Sequence, residues 1–169
     1  MIKKEILQRF KDIGIIHKKP VKLRSGDMAN FYCDIKKSYG YPDILNALAD
    51  EIGNLLAGDI TCVAASGYGG LPLAALVAVK FNKKFIAVRD KPKGHGKGGF
   101  IDGYIPNEKD SITIIDDVLT TGSSIKETYE ILKDTRENIK NAIVVVKRGE
   151  AKLPIPYSHL LTIDEIIND

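Results

Sequence analysis

Short apolar runs alternate with helix-like segments through the middle of this chain, and no other feature limits its possible folds as strongly. Four runs have the length and composition of buried strands: DITCVAAS, KFIAVR, SITIID and NAIVVVK. LPLAALVAVKF and SSIKETYEILKDT are predicted to be helices between them, and SGYGG is predicted to be a loop. Apolar strands that alternate with helices form parallel sheets covered on both faces. The pattern therefore predicts a doubly wound α/β fold, with a mostly parallel sheet and helices on both faces.

The two ends of the chain are predicted to form a small cap on that core. Apolar residues recur at near-helical spacing over residues 2–13, which predicts an amphipathic helix. VKLRSGDMANFYCDIK is predicted to form two short strands around a Ser-Gly-Asp turn, and HLLTIDEIIND a strand or short helix that returns to the N-terminal part. We expect a single domain over residues 1–169, with the core at about 41–149 and the cap at about 1–40 and 150–169.

Composition and charge exclude several classes of protein. The net charge of +3 is too small to indicate a nucleic-acid or membrane partner. Cys33 and Cys62 belong to no CxxC or Cys/His cluster, so a zinc site is not predicted and a reduced, cytoplasmic protein is expected. The first residues lack the apolar segment of a secretory signal, and no apolar run approaches the length of a membrane span.

The segment ITIIDDVLTTGSS joins a buried strand to a predicted helix and carries the most specific pattern of the chain. The strand is predicted to end on Asp116 and Asp117, at the sheet edge where α/β proteins bind ligands. The TTGSS loop then lets a phosphate approach the unpaired N–H groups of a helix N-terminus. The carboxylates would repel a phosphate but suit hydroxyl groups or a metal ion, so a ribose 5-phosphate satisfies both halves. Simple helix capping beside a solvated acid pair is the alternative. A P-loop NTPase is excluded, because the chain has no GxxxxGK[ST] motif.

A second stretch, VRDKPKGHGKGG, alternates cations with glycines directly after the predicted strand KFIAVR. Its Arg89, Lys93 and His95 are therefore expected on the ligand side of the sheet, on a backbone that glycines make mobile. A closing cationic lid stabilises a departing pyrophosphate, and a histidine adds a proton or a hydrogen bond near neutral pH. A solvated surface loop is the alternative.

These stretches resemble those of a known family. IIDDVLTTGSS resembles the phosphoribosyl-pyrophosphate (PRPP) binding motif of the type I phosphoribosyltransferases. The basic loop is similar to the catalytic loop of the orotate phosphoribosyltransferases, and Arg89, Lys93, His95 and Gly96 match its pattern. The resemblance extends through LRSGDMANFYCDIK and SGYGGLPLA to VVVKRGE, so it covers nearly the whole chain.

The resemblance implies where PRPP binds. The acid pair would hold the ribose 2′- and 3′-hydroxyls and the following loop the 5′-phosphate, while Arg89, Lys93 and His95 would be catalytic and would also contact PRPP. The PRPP-binding residues implied in the long motif are Asp116, Asp117, Val118, Leu119, Thr120, Thr121, Gly122, Ser123 and Ser124. In the family the basic loop reaches into the other subunit's active site, so a homodimer is implied. Mg²⁺ is expected, held mainly by the pyrophosphate and ribose of the substrate.

Base specificity depends on fewer residues. Arg148 follows the strand NAIVVVK, and a guanidinium at the sheet edge can bind a carboxylate through two hydrogen bonds. Orotate carries a carboxylate and ordinary purines do not. In the family the matching arginine holds that carboxylate, and Thr120, Arg24, Tyr32 and Cys33 would complete the orotate pocket. A surface ion pair for Arg148 and a core position for Tyr32 are the alternatives.

The resemblance therefore implies an enzyme that transfers the 5-phosphoribosyl group from PRPP to orotate, yielding orotidine 5′-monophosphate and pyrophosphate in pyrimidine (UMP) biosynthesis. Three residues depart from the family pattern: Asp90 stands for a basic residue, Gly69 for a lysine of many members, and Arg24 for a lysine of some members. Two alternatives stay open, a phosphoribosyltransferase for another base and a non-catalytic regulator of the same fold that senses PRPP or a nucleotide.

Overall fold

The computed structural model describes residues 3–17, 21–22, 28–29, 32–92, 99–133 and 138–168. The helices are α1 (Lys3–Ile13), α2 (Pro42–Asn54), α3 (Gly67–Lys80), α4 (Ser123–Lys133) and α5 (Ile163–Asn168), with a 3-10 helix at Ile35–Gly40. The strands are β1 (Ile16–His17), β2 (Val21–Lys22), β3 (Met28–Ala29), β4 (Tyr32–Cys33), β5 (Cys62–Ser66), β6 (Lys84–Val88), β7 (Ile101–Gly103), β8 (Ile112–Leu119), β9 (Ile139–Lys147) and β10 (Tyr157–Thr162).

The main sheet confirms the predicted doubly wound, mostly parallel fold. Its strand order is β10-β9-β8-β5-β6-β7, and only β7 runs antiparallel to its neighbour among these strands. Neighbouring residues of a strand face opposite sides of the sheet. Val63 and Ile115 pack with α1, α2, α3 and α5, whereas Ala64 and Ile114 pack with α4. Both faces of the sheet are thus covered by helices.

The residues predicted to form the cap contribute two small antiparallel strand pairs and the edge strand β10 of the main sheet. β2 pairs antiparallel with β3, and the predicted turn between them lies outside the described residues. β4 pairs with β1, with Ile16 opposite Cys33. In the tail, β10 pairs in parallel with β9 of the main sheet, while α5 packs against α1 in the N-terminal part. The division into cap and core stays a prediction.

Strand β8 is longer than predicted, because it continues through the acid pair to Leu119. Asp116 lies opposite Val144 of β9, and Leu119 lies opposite Lys147. The backbone ladder with β9 is thus maintained beyond the apolar run that defined the predicted strand. The two carboxylates consequently project from a paired strand, which holds them more rigidly than a loop would.

Helix α3 begins earlier than predicted, because residues 67–70 of the SGYGG segment form its first turn and not a loop, while Ser66 ends β5. Gly67 has a positive φ of 64°, which glycine adopts without strain. A Cβ atom on Gly70 would lie 2.5 Å from the carbonyl oxygen of Ile115. The glycines therefore allow the start of α3 to lie directly on β8, next to the acid pair. Within the described parts of the chain, no helix is long and apolar enough to cross a membrane.

Candidate active site

A cavity of about 360 Å³ opens at the carboxyl ends of β8 and β9, between β4, the 3-10 helix and the start of α4. The position is the one that α/β sheets generally use for ligands. The residues that line it are Tyr32, Cys33, Lys36, Asp116, Asp117, Val118, Leu119, Thr120, Thr121, Gly122, Ser123, Ser124, Glu127 and Arg148. The whole predicted PRPP motif therefore lines one cavity together with three residues predicted to bind orotate.

Other predicted site residues lie elsewhere. Arg24, Lys93 and His95 are outside the described residues. Arg89 borders a neighbouring cavity of about 380 Å³, and its guanidinium forms an ion pair with Asp102 across the β6–β7 hairpin. The structure thus places Arg89 at the base of the basic loop, beside the cavity that holds the PRPP motif and not on its lining.

The acid pair is buried and held in place. Asp116 and Asp117 are each 8% exposed and, as neighbours in a strand, project from opposite faces of β8. The N–H of Asp117 donates to Asp116 Oδ1 at 2.9 Å, and the N–H of Val118 donates to Asp117 Oδ1 at 2.8 Å. Lys36 Nζ donates to Asp117 Oδ2 at 3.2 Å. Burial, with the neighbouring charge of Asp117, raises the pKa of Asp116 to about 7. The pair therefore places fixed carboxyl oxygens on the cavity lining, where they suit a ligand with hydroxyl groups.

The loop after β8 is shaped for close approach of an anion. Gly122 has a positive φ of 75°, and a Cβ atom there would lie 2.5 Å from Leu153 Cδ2. Glycine therefore suits this turn, which delivers the chain to the first residue of α4. The hydroxyls of Thr121 and Ser123 lie 2.9 Å apart at the cavity. The first N–H groups of α4 have no partner within the helix and, together with these hydroxyls, are suited to binding a phosphate.

Arg148 is brought to the cavity by the pairing of β9 with β8. Its N–H donates to the carbonyl of Leu119 at 2.9 Å, and a Cβ atom on Gly149 would lie 2.9 Å from the carbonyl oxygen of Thr120. The chain after β9 is therefore packed closely against the chain after β8. This contact places the Arg148 guanidinium and the acid pair along one cavity.

The other wall of the cavity comes from β4. Tyr32 is half-buried and its ring stacks near that of His17, with 6.3 Å between the ring centroids. Burial raises the pKa of the Cys33 thiol to about 12, despite the opposing charge of Arg148. Cys33 is therefore a neutral thiol that contributes to the shape of the pocket and is not an activated nucleophile.

Sequence reasoning missed two residues that line this cavity, Lys36 and Glu127. Glu127 lies one turn into α4. Its spacing of four residues from Ser123 could have indicated it, because residues at that spacing lie on the same face of a helix. Lys36 belongs to the quoted segment FYCDIKK, but nothing in the sequence links it to Asp117, which lies 81 residues away. That contact is visible only in the folded chain.

No protein-family model matches the chain. Individual known proteins do match it. The orotate phosphoribosyltransferase of Lactobacillus johnsonii is 38% identical over 159 residues, which cover 82% of this chain and 74% of the relative. The chain belongs to the orotate phosphoribosyltransferase family. The orotate phosphoribosyltransferase of Methanocaldococcus jannaschii is 31% identical over 148 residues, which cover 88% of this chain and 84% of the relative.

The fold agrees with this family. The crystal structure of orotate phosphoribosyltransferase from Aeropyrum pernix superposes with a TM-score of 0.83 at 26% identity and covers 96% of both chains. The family resemblance seen in the sequence motifs is therefore confirmed by overall sequence similarity and by the structure of a relative.

Proposed function

We propose that this protein transfers the 5-phosphoribosyl group from PRPP to orotate, producing orotidine 5′-monophosphate and pyrophosphate for pyrimidine (UMP) synthesis. The observation that supports this most strongly is the single cavity lined by the acid pair, the hydroxyl-rich helix start and the Arg148 guanidinium. These groups match a ribose, a phosphate and a carboxylate, respectively. Family membership supports the same reaction.

The ribose 5-phosphate half of PRPP is proposed to bind along the motif from Asp116 to Ser124. The two carboxylates accept hydrogen bonds from the 2′- and 3′-hydroxyls, because a carboxylate accepts strongly and a sugar hydroxyl donates. The 5′-phosphate binds the N–H groups and hydroxyls from Thr120 to Ser124. Val118 and Leu119 connect the two halves as the last residues of β8.

Orotate is proposed to bind between Arg148, Thr120 and the β4 wall. Its carboxylate pairs with the guanidinium, and its ring lies against Tyr32 and Cys33, both of which line the cavity. Arg24 is proposed from the sequence alone to complete this pocket.

Catalysis is proposed to proceed by positioning and charge stabilisation. The base nitrogen attacks the anomeric carbon of the ribose while the bond to pyrophosphate breaks, and the ring passes through an oxocarbenium-like state. Lys93, His95 and Arg89 act on the departing pyrophosphate. Arg89 is proposed for this role from its position where the basic loop begins, next to its ion-pair partner Asp102.

Mg²⁺ is proposed to accompany PRPP and to neutralise charge on the departing pyrophosphate. Carboxylate oxygens are ligands that this ion prefers, and the acid pair supplies them at the cavity. Among the residues that the structure describes, no cluster of three or more metal-binding side chains is found. The ion is proposed to be held mainly by the pyrophosphate and ribose of the substrate.

A homodimer is proposed from the surface of α3. This helix is apolar on most sides, and Tyr68 and Val79 on it are 89% and 81% exposed. Pro72 and Ala75 lie between them at helical spacing and are partly exposed, so an apolar stripe faces outward. A second copy of the chain would cover the stripe and bring its basic loop to this cavity. Sedimentation velocity at micromolar concentration is expected to show a dimer, and a monomer would contradict the proposal.

We also place the protein in the cytoplasm, where the buried thiols of Cys33 and Cys62 stay reduced. Cell fractionation tests this placement.

A direct assay tests the function. Purified protein is mixed with PRPP, Mg²⁺ and orotate, and the loss of orotate absorbance is followed, with adenine, hypoxanthine and uracil in parallel. We expect turnover with orotate and none with the other bases. Turnover of another base would retain the PRPP site but overturn the role of Arg148. PRPP binding without turnover of any base would indicate a regulator instead of an enzyme.

A further inference from the structure

The described lining of the cavity has more acidic than basic side chains, although the proposed ligand is itself a polyanion. Three carboxylates line it, those of Asp116, Asp117 and Glu127, whereas the cations on its described lining are Lys36 and Arg148. A diphosphate next to the acid pair is repelled unless a cation lies between them. Arg148 is proposed to bind the base, so among the described lining residues Lys36 is the cation whose role remains open.

Lys36 lies on the first turn of the 3-10 helix, and its ammonium group contacts Oδ2 of Asp117. Its Nζ is 3.2 Å from Asp117 Oδ2, its side chain is 44% exposed, and the residue lines the cavity. Burial lowers the pKa of Lys36, but the charge and hydrogen bond of Asp117 outweigh it, and the pKa is raised overall. The side chain is therefore charged at neutral pH.

The neighbouring first turn of α3 carries no cationic side chain. The hydroxyl of Tyr39 donates to the carbonyl of Gly69 at 2.6 Å, which fixes the 3-10 helix against the start of α3. A Cβ atom on Gly69 would lie 2.4 Å from Asp117 Oδ1, so a side chain at position 69 would require that carboxylate to shift. In this arrangement the ammonium of Lys36 occupies the position beside Asp117.

We propose that Lys36 binds the diphosphate of PRPP. When PRPP binds, the ribose hydroxyls form hydrogen bonds with the Asp117 carboxylate, and the Lys36 ammonium leaves Asp117 and binds the diphosphate oxygens. The inference rests on the proposed function. Ribose hydroxyls donate to Asp117 in place of the ammonium, so the carboxylate keeps its hydrogen bonds after the exchange. The long and flexible lysine side chain moves a few ångströms without a change in the backbone.

The test compares two ligands that differ in the diphosphate. Calorimetry measures the Kd of PRPP and of ribose 5-phosphate, both with Mg²⁺, for the wild type and for Lys36→Met. Loss of a charge-assisted contact is expected to weaken PRPP binding by about tenfold to a hundredfold. Ribose 5-phosphate has no diphosphate, so its affinity should change much less. Lys36→Arg keeps the charge and should recover most of the PRPP affinity.

Lys37→Met is the matched control. Lys37 is the next residue of the same 3-10 helix, but its Nζ donates to the carbonyl of Gly14 and it does not line the cavity. Its loss should leave the Kd of PRPP unchanged, and thermal unfolding of both methionine variants verifies that they fold.

Two results would overturn the inference. Unchanged PRPP affinity in Lys36→Met would show that the ammonium does not contact the diphosphate. An equal loss for PRPP and ribose 5-phosphate would show that Lys36 only positions Asp117. Failure of the wild type to bind PRPP would instead contradict the proposed function, so the two failures are distinguishable.

Discussion

Replacing both acids with their amides, in the double variant Asp116→Asn and Asp117→Asn, is expected to reduce kcat/KM for PRPP by about a hundredfold to ten-thousandfold. Each carboxylate is proposed to accept a hydrogen bond from a ribose hydroxyl, and hydrogen bonds to charged groups contribute about 1.5–3 kcal/mol each. Asparagine keeps the shape of aspartate, so packing around β8 is preserved. Steady-state kinetics with varied PRPP, together with calorimetric PRPP binding, measure the effect.

Glu130, a carboxylate on helix α4, provides the control for the acid pair. Glu130 is exposed on α4 and pairs with Lys133, so Glu130→Gln removes a negative charge without changing the acid pair. It should leave the PRPP parameters close to those of the wild type. Wild-type PRPP affinity in the double variant would refute the assignment of the acid pair to the ribose.

The acid pair also predicts how stability depends on pH. Burial and the charge of Asp117 raise the pKa of Asp116 from 3.8 to about 7 in the folded protein. Below pH 3.8 the Asp116 carboxyl is protonated in both the folded and the unfolded chain, and its stabilising contribution to the free energy of unfolding is fully present. As the pH rises towards 7, the unfolded chain ionises first, so this contribution is lost. Thermal unfolding should therefore show that Asp116→Asn gains Tm relative to the wild type between pH 4 and 7; a constant difference would contradict the raised pKa.

Substituting alanine for Arg148 is expected to raise the KM for orotate by about a hundredfold. The guanidinium is proposed to form two charge-assisted hydrogen bonds with the orotate carboxylate, and such paired contacts are among the strongest polar interactions in proteins. The KM for PRPP should change little, because the acid pair and the phosphate loop are intact. Kinetics with each substrate varied in turn separate the two effects.

Two further variants sharpen this test. Arg148→Lys keeps the charge but loses the paired geometry, so its orotate KM should lie between those of the wild type and Arg148→Ala. Lys147→Ala removes the neighbouring cation, which pairs with Glu150, and should leave the orotate KM unchanged. The preference for orotate over uracil, which lacks the carboxylate, should shrink in Arg148→Ala. An unchanged orotate KM would remove Arg148 from the orotate site.

The sequence by itself determined the fold class and the segment that lines most of the cavity. Apolar runs that alternate with helices have one common solution, a parallel sheet covered on both faces, so the pattern was enough to predict it. The PRPP motif was predictable because all its residues are contiguous from Asp116 to Ser124. A single strand, turn and helix start bring them to the cavity together.

Only the tertiary structure decided the features that depend on contacts between distant segments. The continuation of β8 through the acid pair depends on its ladder with β9, and the early start of α3 depends on the room that Gly70 leaves for Ile115. The ion pair of Lys36 with Asp117 joins residues that are 81 positions apart. Helix and strand periodicities report which face of an element is buried but not which partner it meets. For that reason the lysine beside the acid pair became visible only once the chain was folded.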